Sequence, residues 1–92
     1  MCIHHKSFFY MFSYYYLGNA YEGLKKEKKA ISFYSKAIKQ KPNFIECLYT
    51  RAILYRMILK FREAKDDFKR IVEIAPHSIF AEGAREYLER MR

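Results

Sequence analysis

The chain has 92 residues, which is enough for one small domain. Hydrophobic residues make up 51% of it and charged residues 30%, a balance that supports a core and argues against long disorder. Three glycines and two prolines are too few for the turns of an all-β chain, so an all-α fold is predicted. Two cysteines exclude a disulfide framework. The net charge is +8.

The first ten residues are predicted to be a tail or a helix extension. An apolar-aromatic run from Ser7 to Leu17 has the position of an export signal, but four of its residues are tyrosines, which argues against one. No segment approaches the roughly 20 apolar residues that a membrane span needs. Without a convincing signal, a cytoplasmic location is expected by default.

Residues 11–44 and 45–78 align with each other at an offset of 34 residues, small on small and aromatic on aromatic. Each copy closes on its only proline. The matched pairs are Tyr14 with Leu48, Gly18 with Ala52, Tyr21 with Tyr55, Ala30 with Ala64, Tyr34 with Phe68, Ala37 with Ile71, and Pro42 with Pro76.

Each copy is predicted to form two antiparallel helices. In the first copy, helical spacing defines two apolar faces: Tyr14, Leu17, Gly18 and Tyr21 on one helix, and Ala30, Tyr34, Ala37 and Ile38 on the other. Small residues at positions 18 and 30 allow close helix approach. The second helix has to stop before Pro42.

Most of the positive charge lies in one segment. Lys25 to Lys41 holds seven lysines and one acid, for a charge of +6, while the rest of the chain has eleven basic and nine acidic residues, for +2. This basic patch could attract nucleic acid, an anionic surface or an acidic partner, or it could be a solvated helix face. Its residues are Lys25, Lys26, Lys28, Lys29, Lys36 and Lys39.

In the second copy, Asn43 is expected to cap the first helix, with Glu46 completing a capping box. Arg51 replaces the leucine of the first copy, and we expect its stem to pack while its head reaches solvent. Cys47 is predicted to lie in the core. The acidic side chains Glu63, Asp66 and Asp67 are predicted to face solvent.

After Pro76 the repeat frame breaks, and a fifth helix with one apolar stripe is predicted. Ser78 is placed to cap it. The stripe consists of Phe80, Ala84, Tyr87, Leu88 and Met91, and the opposite face of Glu82, Arg85, Glu86, Glu89 and Arg92. Such a helix is suited to close a stack of helix pairs.

The run Leu17-Gly18-Asn19-Ala20-Tyr21, followed by Ala30, Tyr34, Ala37 and Pro42, resembles the tetratricopeptide repeat. The resemblance implies repeats at 11–44 and 45–78, a capping helix at 79–92, and a short right-handed solenoid of about five helices. Two departures are Arg51 and the turn from Leu24 to Lys28, which lacks the usual small residue.

The resemblance also implies a partner-binding groove lined by the first helix of each repeat. Its predicted residues are Phe12, Tyr15, Asn19, Glu46, Tyr49, Ile53 and Arg56, with Phe80, Gly83 and Tyr87 as an extension. The alternative is that Tyr15 and Tyr49 only stack between helices. Of the positions that grip chaperone C-terminal carboxylates in some members, only Asn19 matches, because the others are Tyr15, Thr50, Phe80 and Ala84.

The aromatic start has no polar cap, so Phe8, Phe9, Tyr10 and Phe12 form an apolar edge. We expect association through this edge, with a second copy or another protein, unless the chain is part of a longer array.

Catalytic and cofactor motifs are not evident, and no metal site is predicted; Cys2, His4 and His5 are interpreted as a tail. We therefore predict a non-enzymatic module that binds a peptide or helix of another protein. The alternative is a nucleic-acid or anionic-surface binder that uses residues 25–41.

Overall fold

A computed structural model describes the backbone of residues 3–92 and the side chains of residues 10–92. Over that range the chain is all-α, as predicted, without a strand. The five helices are α1 (Ile3–Gly23), α2 (Glu27–Gln40), α3 (Ile45–Met57), α4 (Phe61–Ile74) and α5 (Ile79–Arg90). They form two compact units, unit 1 (Met1–Phe44) and unit 2 (Ile45–Arg92).

Unit 1 is one antiparallel helix pair, because a three-residue turn brings α2 back along α1. Tyr34 is its central side chain, with 0% of its surface exposed. Gly18 is buried against that ring, and a Cβ atom at Gly18 would lie 2.5 Å from Tyr34 Cε1. The small residue thus makes room for an aromatic ring, rather than only for a neighbouring backbone.

Unit 2 repeats this arrangement and adds α5. Phe68 takes the central place, again with 0% exposed, and Ala52 and Ala64 are buried as their counterparts in unit 1 are. α5 packs mainly on α4 and buries Ala81 and Ala84. Of the predicted stripe, Ala84 is buried, and Phe80 and Tyr87 contact rings of α3 and α4, whereas the buried Ala81 lies outside that stripe. Ser78 caps α5, since the Ala81 N–H donates to Ser78 Oγ at 3.1 Å.

The turn between α1 and α2 and the turn between α3 and α4 each contain one residue with a positive φ angle. Lys25 has φ of 60° and Leu59 has φ of 67°, both in the left-handed region that favours glycine. In each turn the next N–H reaches back to a tyrosine carbonyl: Lys26 to Tyr21 at 2.9 Å, and Lys60 to Tyr55 at 2.8 Å. The turns therefore follow the same path, although neither contains glycine at that position.

Three expectations about single residues are wrong. Leu17, expected on the core face of α1, is 42% exposed. α3 begins at Ile45, so Phe44 and not Asn43 occupies the position before the helix. Asp67, expected in solvent, is 5% exposed.

The burial of Asp67 also corrects the prediction for Arg51, whose head does not reach out to water. Arg51 Nε donates to Asp67 Oδ2 at 2.8 Å, and Arg51 Nη2 donates to Oδ1 at 2.7 Å. The two side chains are only 17% and 7% exposed. A bidentate ion pair between α3 and α4 is thus part of the packing of unit 2.

Candidate functional site

The predicted binding residues of unit 1 lie along one side of α1. Phe12, Tyr15 and Asn19 are spaced at i, i+3 and i+7, which puts them on one helical face. Phe12 is 48% exposed, and its ring meets Phe44 edge-on at a centroid distance of 6.2 Å. Tyr15 is half-buried between Phe44 at 4.9 Å and Tyr34 at 5.9 Å. Phe12 is therefore accessible to a ligand, whereas Tyr15 packs against Phe44 and Tyr34 beneath this helical face.

Asn19 takes part in a polar contact with the buried Tyr34. The Tyr34 hydroxyl lies 2.6 Å from Asn19 Oδ1 and 2.8 Å from Glu22 Oε1. The phenol has one hydrogen, which it donates to one of these two oxygens. When it donates to Glu22, the Asn19 amide can be turned so that its NH₂ group donates to the phenol oxygen. The exposed Asn19 amide is thereby held in place on the α1 face.

Tyr16 belongs to the same face, and sequence reasoning missed it. Its side chain is 64% exposed and contacts the ring of Tyr15 at 5.6 Å. It lies four residues after Phe12 and three before Asn19, a helical spacing that could have revealed it. The open part of this face is therefore Phe12, Tyr16 and Asn19, which we call the α1 face.

The predicted residues of unit 2 follow α3 at positions 46, 49, 53 and 56. Glu46 is exposed, and Ile53 is half-buried. Tyr49 packs against Phe80 at 5.4 Å and Phe68 at 6.0 Å, and it covers Gly83, where a Cβ atom would lie 3.0 Å from Tyr49 Cε1. Burial raises the pKa of Tyr49, with smaller contributions from Tyr87 and Glu86, so its phenol is neutral at physiological pH.

Arg56 lies at the end of this row. Its guanidinium is 5.2 Å from the centre of the Tyr87 ring, a cation–π distance. It also borders an open depression of about 250 Å³, whose other lining residues are Phe61, Arg90, Met91 and Arg92. In unit 2, α5 therefore supplies Phe80, Gly83 and Tyr87 as direct neighbours of the predicted α3 residues.

The six lysines of the basic patch are all exposed in unit 1. Lys29 Nζ lies 5.5 Å above the Tyr21 ring, and Lys36 Nζ lies 5.1 Å above Phe33. Of the aromatic residues of α2, Tyr34 is fully buried, as the repeat frame predicts, and Phe33 is half-buried.

Potential metal ligands are not clustered in the part of the chain that the structure describes. Residues 10–92 contain no group of three or more potential metal ligands; Cys2, His4 and His5 lie outside the described side chains, as do Phe8 and Phe9 of the predicted apolar edge. The Cys47 side chain is fully buried, with 0% of its surface exposed, and burial raises the pKa of its thiol to about 12. None of the described helices is both long and apolar enough to cross a bilayer.

Comparison with known proteins gives matches for both helix pairs. Family models described as tetratricopeptide repeat match residues 12–44 and residues 46–78. A crystal structure of a tetratricopeptide repeat protein from Parabacteroides merdae superposes with a TM-score of 0.73 at 31% identity. That likeness covers 82% of this chain and 29% of the other.

One curated protein is similar over 63 residues. It is a UDP-N-acetylglucosamine–peptide N-acetylglucosaminyltransferase of Giardia intestinalis, 35% identical over a stretch that is 68% of this chain but 4% of the transferase. The similarity is thus confined to a small fraction of a much longer protein. Since the two family models together account for residues 12–78 apart from Ile45, and each match is one helix pair, the chain belongs to the tetratricopeptide repeat family.

Proposed function

We propose that this chain binds a peptide or helix of another protein and carries out no chemistry of its own. Tetratricopeptide repeats in general serve as scaffolds for protein–protein interaction, and the fold is generally non-catalytic. The observation that carries the proposal for this chain is the α1 face, on which two exposed aromatic rings, Phe12 and Tyr16, are followed by the amide of Asn19. Aromatic side chains provide much contact area for little loss of side-chain entropy, and the Asn19 amide can bond to a peptide backbone.

In unit 1, the residues that we propose to contact a partner are those of the α1 face. In unit 2, they are the accessible residues of the α3 row, Glu46, Ile53 and Arg56. They provide apolar surface, a carboxylate and a guanidinium, a mixture that suits a partly apolar peptide with polar groups. Tyr15 and Tyr49 have a supporting role in this proposal, because neighbouring rings hold both of them.

The test compares two variants of α1 that remove similar exposed apolar area. Phe12→Ala/Tyr16→Ala changes the α1 face, whereas Tyr10→Ala/Leu17→Ala changes another side of the same helix with similar exposure. Proteins captured from native extract at about 0.15 M salt, where exposed charges are screened beyond ~8 Å, are identified by mass spectrometry, with and without nuclease.

A defined protein that the parent and the Tyr10/Leu17 variant retain, and that the Phe12/Tyr16 variant loses, supports the proposal. Thermal melting of all three chains shows whether the loss is due to unfolding. If both variants retain the same protein equally, the α1 face is not the binding site. Recovery of nucleic acid alone, abolished by nuclease, contradicts protein binding as the function.

We further propose that the protein acts in the cytoplasm. The sequence contains only two cysteines, too few for a disulfide framework, and this composition is compatible with a reducing compartment. Fluorescence microscopy of the tagged chain tests this location, and accumulation in the secretory pathway would contradict it.

A further inference from the structure

Unit 1 has a second surface that the proposed protein-binding role does not use. Four lysines of α2, at positions 28, 29, 36 and 39, lie within an arc of about 100° around the helix axis, as the 3.6-residue turn of an α-helix requires. All four are exposed, and within residues 10–92 none of them forms an ion pair. The lone acid between positions 25 and 41 is Glu27. We call these four residues the lysine stripe.

An apolar strip follows α1. Tyr10, Leu17 and Leu24 recur every seven residues, and they are 51%, 42% and 65% exposed. Leu24 lies at the turn, directly before Lys25 and Lys26. None of the three side chains is charged, so exposure of their apolar surface to water is unfavourable.

A layer of half-buried rings connects the lysine stripe to α1. Lys36 Nζ is 5.7 Å from the centre of the Tyr14 ring and 5.1 Å from that of Phe33. The Tyr14 ring is in turn 6.4 Å from the Tyr10 ring of the apolar strip. Stripe and strip are therefore adjacent parts of one amphipathic surface, basic on α2 and apolar on α1.

We propose that this surface binds the anionic face of a lipid bilayer. The lysine stripe contacts the headgroups, while Tyr10, Leu17 and Leu24 enter the boundary between headgroups and acyl chains. Clusters of four to eight basic residues on an amphipathic helix have this property, and apolar side chains next to them add buried area in the interface. Long lysine stems reach the headgroup level while the rings stay with the protein.

The packing of the rings favours a bilayer over single-stranded nucleic acid. Bases bind by stacking on open aromatic faces. Here Tyr21 and Phe33 already stack on each other at 5.4 Å and an interplanar angle of 3°, and lysine ammonium groups lie above both rings. Exposed leucine side chains, in contrast, are stabilised by contact with acyl chains, and they can neither stack on a base nor hydrogen-bond to it.

The type of charge favours a bilayer over an acidic peptide. The lysine stripe contains no arginine. Its ammonium groups are point charges on flexible stems, whereas the planar guanidinium group of an arginine would bind a carboxylate in a fixed geometry. Mobile charges suit headgroups that diffuse laterally and can gather under the protein.

The experiment measures binding of the full chain to vesicles by co-sedimentation at about 0.1 M salt, where the Debye length is ~10 Å. One set of vesicles is phosphatidylcholine alone, and the other contains about one-quarter phosphatidylserine. The test variant replaces Lys28, Lys29, Lys36 and Lys39 by Gln. The matched control replaces Lys60, Arg62, Lys69 and Arg90 of unit 2 by Gln, which removes the same charge.

We expect binding to the phosphatidylserine vesicles alone, and a loss of about fivefold for each stripe lysine removed, so more than a hundredfold for the test variant. The unit 2 control keeps at least a tenth of the parent affinity. Leu17→Gln/Leu24→Gln weakens vesicle binding without a change in net charge, which a purely electrostatic contact would not show.

Several outcomes overturn the proposal. Equal loss in the two charge variants means that net charge alone attracts the vesicles. Tighter binding to a single-stranded uridine oligonucleotide or to a polyglutamate peptide than to the vesicles assigns the stripe to another polyanion. Displacement from vesicles by inorganic phosphate at equal phosphate concentration indicates a simple anion site. If the Leu17/Leu24 variant changes only the oligomeric state in sedimentation equilibrium, the strip joins two copies of the chain.

Discussion

The ion pair between Arg51 and Asp67 takes the place of an apolar pair in the other repeat. At the offset of 34 residues, unit 1 has Leu17 and Phe33 at these positions. In unit 2 the Arg51 guanidinium also lies 5.4 Å from the centre of the Tyr55 ring. Burial raises the pKa of Asp67, against the opposing hydrogen bonds and charge of Arg51, so desolvation offsets much of what the pair contributes.

Removing one member of this pair is expected to cost more than replacing both. Arg51→Leu or Asp67→Asn alone leaves a buried charge without the opposite charge beside it and lowers the free energy of unfolding by about 3 kcal/mol. Arg51→Leu/Asp67→Phe, which copies unit 1, lowers it by less than about 1 kcal/mol. Urea unfolding at pH 7 of the parent and all three variants measures this. Additive losses in the double variant would contradict the idea that the two residues act as a unit.

The buried thiol of Cys47 predicts a stability change at alkaline pH. In the folded chain its pKa is about 12, against 9.0 for a cysteine thiol in water, so the folded state holds the proton where the unfolded chain loses it. Stability from this group is complete below pH 9 and falls as the pH rises towards 12.

Between pH 8 and pH 10 we expect the free energy of unfolding to fall by up to about 1.4 kcal/mol on account of Cys47. Tyrosines ionise in the same range, so the control is Cys47→Ala, which retains them all. The difference in unfolding free energy between parent and control should shrink over this interval. A difference that stays constant from pH 8 to pH 10 would show that the thiol does not titrate as inferred.

At the scale of the helices, the two turns have the same strained position. Lys25 and Leu59 adopt positive φ angles, which cost a side-chain-bearing residue about 1 kcal/mol relative to glycine. Both residues are exposed, so their side chains contribute little packing that glycine would lose. Each turn therefore carries a local conformational free-energy cost, which the packing of the helices on either side outweighs.

Glycine at these positions is expected to stabilise the protein. Lys25→Gly and Leu59→Gly should each raise the free energy of unfolding by about 0.5 kcal/mol, the relief of strain less the added entropy of the unfolded chain. Ser32→Gly, on the exposed side of α2, should instead lower it by about 0.5–1 kcal/mol. Thermal melts of the three variants test this, and a loss of stability at both turn positions would contradict the backbone argument.

At the scale of the whole molecule, α1 contributes to two proposed surfaces with different chemistry. The α1 face, formed by Phe12, Tyr16 and Asn19, lies on one side of the helix, and the apolar strip lies on another. The lysine stripe belongs to the second surface through its contacts with α1 rings. A helix without a charged residue between Tyr10 and Tyr21 can present apolar groups to two ligands at once.

The two surfaces are expected to act independently. Phe12→Ala/Tyr16→Ala should leave vesicle affinity within about twofold, because changes at distant sites add. The fourfold Lys→Gln variant should likewise leave capture of the protein partner unchanged. Measuring each variant in the other assay checks this, and a loss of both activities from either change would indicate one shared surface.

The helix pairs and most of the core could be predicted from the sequence, because the size and spacing of residues within a helix are local properties. Ala30, Tyr34 and their counterparts Ala64 and Phe68 are all buried, as the repeat frame predicts. The cap at Ser78 was equally predictable, since it depends on a serine side chain and the next three residues. Part of the α1 face was also predicted, and Tyr16 follows from the same spacing.

Contacts between residues far apart in the chain were decided by the tertiary structure alone. Arg51 and Asp67 are 16 residues apart, and only the packing of α3 on α4 turns two apparently solvated charges into a buried pair. The same applies to Leu17, which has core spacing but is largely exposed, and to the lysines above the rings of unit 1. The sequence by itself determined which segments become helices and which faces are apolar; the tertiary structure decided which of those faces are covered, because burial depends on the neighbour that the fold provides.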